Sequence, residues 1–290
     1  MEDIKIIADT GSDLSEELAK KYDIGLVRFL TLFGEEEYQN GTDITNAEFY
    51  EKLDSFDGVP TSSQPPFQYL YDLLLEESRK HKTVIFFTIS AKASGEFQTA
   101  SLIANQIKED DNPDADIRVV DTNKLSVYIA QTVIHAAELV REGKTADEII
   151  EDCKEYLESW RAYIVVDTLK YLEKGGRLSK SAMIVGTLLD IKPVLTVEDG
   201  LVDSYGKLRG KKKLVDKTIE KIEENPLFHK AEKKEFLVLQ SDEKRGEEAC
   251  EKLRERYGED CIKLYAEVGP LIGIHLGRGA FAIVCRIGKE

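Results

Sequence analysis

Thr83-Val84-Ile85-Phe86-Phe87-Thr88-Ile89-Ser90 is the stretch on which the fold turns. Its apolar run is unbroken by polar alternation and rich in β-branched and aromatic side chains. That pattern suits a strand buried on both faces at the centre of a parallel sheet. The chain then passes through Ala91-Lys92-Ala93 and Ser94-Gly95 into a helical pattern over about residues 96–108, with a further strand at 117–121. Upstream, residues 4–8 read as another buried strand, ending at Asp9-Thr10-Gly11-Ser12-Asp13. A short helix through Leu14 and Leu18 and an extended stretch over 24–33 follow. Capping boxes at Thr45-Asn46-Ala47-Glu48 and Thr145-Ala146-Asp147-Glu148 open helices, the first carrying Phe49 and Leu53. Another helix is expected over about 126–141. Strands alternating with helices of this length indicate right-handed βαβ units. Residues 1–160 are therefore expected to form a Rossmann-like α/β domain.

The pattern changes near Arg161. Residues 163–166 read as a strand, Gly175-Gly176 break the chain, and 181–190 suit a short apolar helix. Asp199-Gly200 stands between two extended runs, a strong hairpin signal. Helices near 212–224 and 243–257 alternate with strands at 236–240, 262–268 and 280–287. Hairpin plus helices predicts a second, α+β domain over 161–290 with a mixed or antiparallel sheet.

Residues 59–66, V-P-T-S-S-Q-P-P, place Thr61, Ser62 and Ser63 between prolines. Phe67, Leu70, Tyr71, Leu74 and Leu75 follow at helical spacing. The expectation is a hydroxyl-rich loop at a helix N-terminus, where free N–H groups and the helix dipole suit an anion. Ser94-Gly95 lies beyond a strand's carboxyl end, where open parallel sheets bind ligands. Two readings stand for Ser94: a helix cap alone, or a cap that also meets a ligand.

Residues 269–279, G-P-L-I-G-I-H-L-G-R-G, set His275 among four glycines, which permit close backbone approach. Within them G-R-G-A-F-A matches a dinucleotide fingerprint, yet too little chain remains for the helix and βαβ unit it requires. Gly175-Gly176-Arg177 puts a guanidinium, a good partner for carboxylate or phosphate, on a turn. Residues 206–217 gather Lys207, Arg209, Lys211, Lys212, Lys213 and Lys217 against Asp216 alone. A solvated helix face and a docking surface for an acidic partner both fit that cluster.

The chain has 290 residues and a formal charge of −15, which argues against nucleic acid and against an anionic membrane surface. No apolar run reaches the length of a membrane span. The chain opens on a strand, so a cytoplasmic protein is expected. Cys153, Cys250, Cys261 and Cys285 form no C-x-x-C pair, which makes a metal site unexpected. There is no G-x-S-x-G elbow, P-loop or H-E-x-x-H, and none of the four histidines neighbours a nucleophile in sequence.

The motifs together resemble the DegV family. P-T-S-S-Q-P at 60–65 is similar to its P-x-T-S-Q-P motif, and S-A-K-A-S-G-E-F-Q-T-A at 90–100 to its S-S-x-x-S-G-T-Y-Q-S-A segment. Further matches are D-x-x-S-D at 9–13, V-V-D-T-L-K-Y-L-E-K-G-G-R-L-S at 165–179, I-K-P-V-L-T-V-E-D-G at 191–200 and G-x-x-I-G-x-H-x-G at 269–277. They span nearly the whole chain in order. The resemblance implies a two-domain fold holding a long-chain fatty acid between its domains. It implies a binding subunit without catalysis of its own, which presents the acid to a separate ATP-binding fatty acid kinase subunit for acyl phosphate formation. On these positions Ser62 and Ser94 would hold the carboxylate, with Thr61 and Gly95 beside them. Arg177 and His275 would complete the polar network, and Arg209 would face the kinase subunit. No cofactor or metal is implied.

This chain departs from the pattern in places. Ser62 stands for the motif's threonine, and Glu96-Phe97 for Thr-Tyr. Leu276 and Arg278 also differ from the residues usual after the histidine. A competing reading is a serine-dependent hydrolase or acyl transferase using Ser62 or Ser94 with His275.

Overall fold

The computed structural model describes residues 3–180, 191–210 and 212–289. The helix expected over 181–190 and the side chain of Lys211 lie outside the described residues. The chain forms two compact units: Met1–Thr45 with Ser62–Leu157, and Asn46–Thr61 with Glu158–Glu290.

The first unit is built on β1 (Ile4–Asp9), α1 (Glu16–Tyr22), β2 (Ile24–Val27), β3 (Leu30–Phe33) and β4 (Glu36–Gln39). After the excursion of α2 (Asn46–Ser55) come β5 (Thr61–Ser63), α3 (Phe67–Lys80), β6 (Thr83–Thr88), α4 (Glu96–Gln106), β7 (Asp116–Asp121), α5 (Val127–Arg141) and α6 (Ala146–Glu158). The four-stranded sheet runs β2-β1-β6-β7 with every pair parallel. β6 is central, and all six of its residues are buried, as its apolar run predicts. Ile7, Val84 and Phe86 pack with Leu70 and Leu74 of α3 and with Ala100 and Ile103 of α4 in one core cluster. The capping box at α6 forms as expected: Thr145 N–H donates to Glu148 Oε2 at 2.8 Å, and Glu148 N–H to Thr145 Oγ1 at 3.4 Å.

Two local expectations are corrected. The extended stretch over 24–33 is two strands in different sheets, β2 in the parallel sheet and β3 in a three-stranded sheet of order β4-β3-β5. The hydroxyl run is β5 of that small sheet rather than a loop capping α3. The residue before α3 is Pro66, whose ring offers no capping group.

The second unit continues with β8 (Trp160–Val165), α7 (Lys170–Gly175), β9 (Ile191–Glu198), β10 (Leu201–Arg209), α8 (Leu214–Glu223), α9 (Pro226–Lys230), β11 (Phe236–Gln240), α10 (Glu243–Tyr257), β12 (Ile262–Glu267), α11 (Pro270–Leu276) and β13 (Phe281–Arg286). Its sheet has the order β10-β9-β8-β13-β11-β12 and is antiparallel except between β11 and β12. The β9–β10 hairpin turns at Asp199 and Gly200, both with positive φ (49° and 77°), as the Asp-Gly signal requires. Tyr163, Phe228, Phe236 and Phe281 are fully buried in its core.

Residues 46–61 fall within the first domain in the sequence reading, yet they cluster with the second unit. α2 packs on α11. The Tyr50 hydroxyl donates to the Val268 carbonyl at 3.1 Å, Asn46 Nδ2 to Glu267 Oε2 at 3.0 Å, and Arg278 pairs with Asp54 at 2.8 Å. Gly273 makes this packing possible: a Cβ there would stand 2.5 Å from the ring of Phe49. The glycine-rich stretch around His275 is therefore largely a short helix, and its glycines serve packing as well as turning.

Candidate ligand-binding site

In the first unit, the carboxyl ends of β1 and β6 carry the loops that sequence singled out. Beyond β6 the chain turns tightly, with Ala93 N–H and Ser94 N–H donating to the Ser90 carbonyl at 2.9 and 3.0 Å. Ser94 is half-buried, and its Oγ accepts the backbone N–H of Glu96, the first residue of α4, at 3.2 Å. That bond meets the first N–H of α4, although Gly95 and not Ser94 holds the N-cap position. The hydroxyl hydrogen of Ser94 is not used in that bond and can be donated to an anion. Gly95 precedes α4 directly.

The hydroxyl strand reaches this turn through Gln64. Its Oε1 accepts Thr99 Oγ1–H at 3.2 Å, and a Cβ on Gly95 would lie 3.6 Å from the same atom. Thr61 and Ser63 of β5 are exposed, and Ser62 is half-buried between them. Ser63 Oγ donates to the Gln64 carbonyl at 3.2 Å. Strand and helix start thus form one assembly of hydroxyls and α4 backbone N–H groups, and such an assembly holds a carboxylate or phosphate.

Two acids lie inside this assembly. Asp9, at the end of β1, is fully buried; its Oδ1 accepts Gly11 N–H at 2.7 Å and its Oδ2 accepts Ile89 N–H at 2.6 Å. Glu96 is fully buried beside it. Burial, and then the Asp9 charge, push the Glu96 pKa well above the usual carboxylate range. Burial raises Asp9 as well, opposed by its bonds to Glu96, Ile89 and Gly11. In the sequence Glu96 stands out only as a departure from the family pattern, and Asp9 only as the start of the D-x-x-S-D match. The available signal for Asp9 is an acid closing a largely apolar strand.

In the second unit, Arg177 and His275 come together around Gly175. Gly175 ends α7, and Gly176 caps it in the left-handed conformation (φ 68°). Arg177 Nη1 donates to the Gly175 carbonyl at 2.5 Å. The His275 ring, on α11, lies directly on Gly175, where a Cβ would stand 2.2 Å from Nδ1. That Nδ1 is buried without a hydrogen-bond partner among the described residues. Burial, with the Arg177 charge adding to it, lowers the His275 pKa to about 4, so the imidazole is neutral at physiological pH. A neutral ring with an unmet nitrogen beside a guanidinium suits a polar or anionic ligand group. It is a poor general base, and among the described residues no carboxylate is bonded to its Nδ1 to orient it.

Arg209 ends β10 and is exposed, with Lys217 Nζ donating to its carbonyl at 2.5 Å. Among the described residues no group of acids, histidines and cysteines is arranged to hold a metal ion. No described helix is long and apolar enough to cross a membrane.

Comparison with known proteins agrees with this architecture. A family model described as "Uncharacterised protein, DegV family" matches residues 3–287. A DegV domain-containing protein of Clostridium acetobutylicum is 32% identical over 289 residues, covering 98% of this chain and 99% of its own. The crystal structure of DegV from Bacillus subtilis, described as a fatty acid binding protein, superposes with a TM-score of 0.85 at 27% identity, covering 99% of this chain and 100% of that one. A stearic acid-binding protein from Eubacterium ventriosum superposes with a TM-score of 0.86 at 25% identity, covering 99% and 98%.

Proposed function

The chain belongs to the DegV family, and from that premise we propose that it binds a long-chain fatty acid, with Ser62 and Ser94 holding the carboxylate. The observation that carries this reading is the Ser94 turn. Its hydroxyl oxygen accepts the first N–H of α4 and keeps a hydrogen to donate, and it stands beyond the central strand of a parallel sheet. Gln64 ties the Ser62 strand to the same helix start. A carboxylate removed from water must be hydrogen-bonded, and hydroxyls with backbone N–H groups supply those bonds. Thr61 and Gly95 flank the site. Within the second unit, Arg177 and the neutral His275 form a further polar pair suited to a ligand group. The acyl chain supplies the driving force, at roughly 0.8 kcal/mol per buried CH2.

The protein acts in this reading as a carrier without catalysis of its own. It presents the acid to a separate ATP-dependent kinase subunit that forms acyl phosphate. Arg209 lies in the part of the surface that would dock that subunit, with Lys207, Lys212, Lys213 and Lys217 around it in a chain of charge −15. The hydrolase alternative is disfavoured by His275, whose lowered pKa leaves it a weak base. The test is solvent extraction of the purified chain with mass spectrometry, followed by palmitate titration of the delipidated protein. Recovery of a long-chain acid and saturable binding are expected. A chain that carries none and binds none refutes the reading.

A further inference from the structure

The Asp9–Glu96 pair has no part in that reading, yet it sits where the first sheet is open to a ligand. In the order β2-β1-β6-β7 the chain leaves β1 toward one side and β6 toward the other. The crevice beyond the carboxyl ends of those two strands is the topological switch point. Asp9 spans it, accepting Gly11 N–H from its own loop and Ile89 N–H from the loop after β6. Glu96 meets Asp9 from the start of α4, and neither of its oxygens finds a donor among the described residues. Two ionised carboxylates in contact inside a protein repel strongly, so such a pair keeps one proton. Asp9 has two amide donors that favour its charged form, and Glu96 has none. The proton therefore belongs on Glu96, which becomes a donor to Asp9.

We propose that Glu96 is held as the neutral acid, donates to Asp9, and through that bond fixes the Ser94-Gly95 turn in the conformation that receives a ligand carboxylate. The proposal rests on the reading of Ser94 as a ligand contact. Its mechanical basis is short. Ser94 Oγ accepts the N–H of Glu96 itself, and Asp9 holds Ile89, one residue before the Ser90 turn. A shift of the Glu96 backbone, which the side chain's bond to Asp9 would restrain, is felt directly at Ser94 Oγ. The neutral acid also leaves one buried negative charge fewer beneath an anion site. The other groups acting here are Tyr69 of α3, which lies near Glu96, and Arg28, which acts on Tyr69 and pairs with Glu16 at 2.7 Å. Neither is bonded to the Glu96 carboxyl. Glu96 is thus a positioning residue.

The test uses the delipidated full chain with palmitate as probe. Infrared difference spectra between the ligand-free chain and Glu96→Gln should contain the carbonyl band of a protonated acid. Palmitate affinity should weaken in the wild-type chain as pH is raised from acid to alkaline, beyond the change in Glu96→Gln, which shares the ligand's own ionisation. Glu96→Gln keeps a donor to Asp9 and should match the wild type at acid pH within about twofold, whereas Glu96→Ala should lose about tenfold at every pH. Glu96→Thr, which restores the hydroxyl of the family pattern, should recover part of that loss. Superimposable pH profiles for wild type and Glu96→Gln overturn the proposal, as does wild-type affinity in Glu96→Ala. If Glu96→Ala does not fold, the isosteric glutamine variant and the infrared band decide. Palmitate binding without a protonated-acid band overturns the Glu96 role alone. A wild-type chain that binds no palmitate overturns the lipid reading and the Ser94 role with it.

Discussion

Replacing His275 with asparagine should flatten the acid limb of the stability curve. The folded chain holds this imidazole neutral down to about pH 4, against an ordinary value of 6.5, because the ring is buried and Arg177 is nearby. Between those two pH values the unfolded chain takes up a proton that the folded chain refuses. The stabilisation is therefore complete above pH 6.5 and is lost as pH falls toward 4. Each pKa unit corresponds to about 1.4 kcal/mol, so the loss across the window is about 3 kcal/mol. Asparagine cannot titrate. Its packing against Gly175 changes the absolute stability but not the slope. Urea unfolding of both proteins through the window isolates the histidine, because the carboxylates titrate alike in both. The difference in unfolding free energy should change by about 3 kcal/mol in favour of the variant as pH falls. Parallel curves would refute the claim that His275 is buried and neutral.

Ser94→Ala should weaken palmitate binding by about 1.5–3 kcal/mol through loss of a hydrogen bond to a charged group; unchanged affinity by calorimetry would reduce Ser94 to its bond with the Glu96 N–H. Arg209→Ala should leave palmitate affinity intact and slow acyl phosphate formation in the reconstituted kinase pair, and loss of palmitate binding instead would move Arg209 into the pocket. Gly273→Ala gains about 1 kcal/mol of helix propensity. It also drives a methyl to 2.5 Å from the fully buried ring of Phe49. Overpacking costs about 1–3 kcal/mol, so a net loss in urea unfolding is expected, and a stabilised variant would contradict the α2–α11 packing.

Much of the fold follows from local pattern because its strongest signals are local. The apolar run of β6, the capping box of α6 and the Asp199-Gly200 turn each specify their own element, and each forms as read. The short helices α7 and α9 escaped notice, since five or six residues hold too few periodic positions. Tertiary packing decided the rest. Residues 46–61 read naturally as part of a continuous first domain, and only contacts with α11 and with Val268 and Glu267 draw them to the second unit. The hydroxyl run reads as a cap because serine and threonine favour caps, but its three residues pair as a strand beside β3. Ser62, Ser94, Arg177 and His275 each stand out in the sequence as unusual residues in unusual company. Which nitrogen of His275 lacks a partner, and that Glu96 lies on Asp9, depend on residues far apart in sequence and carry no local trace.

A crystal structure of the chain grown with palmitate tests the central claim most directly. The carboxylate should lie within about 2.5–3.0 Å of the Ser62 and Ser94 hydroxyls, with its acyl chain out of water. A carboxylate bound away from both serines, or a chain that retains no fatty acid, would contradict it.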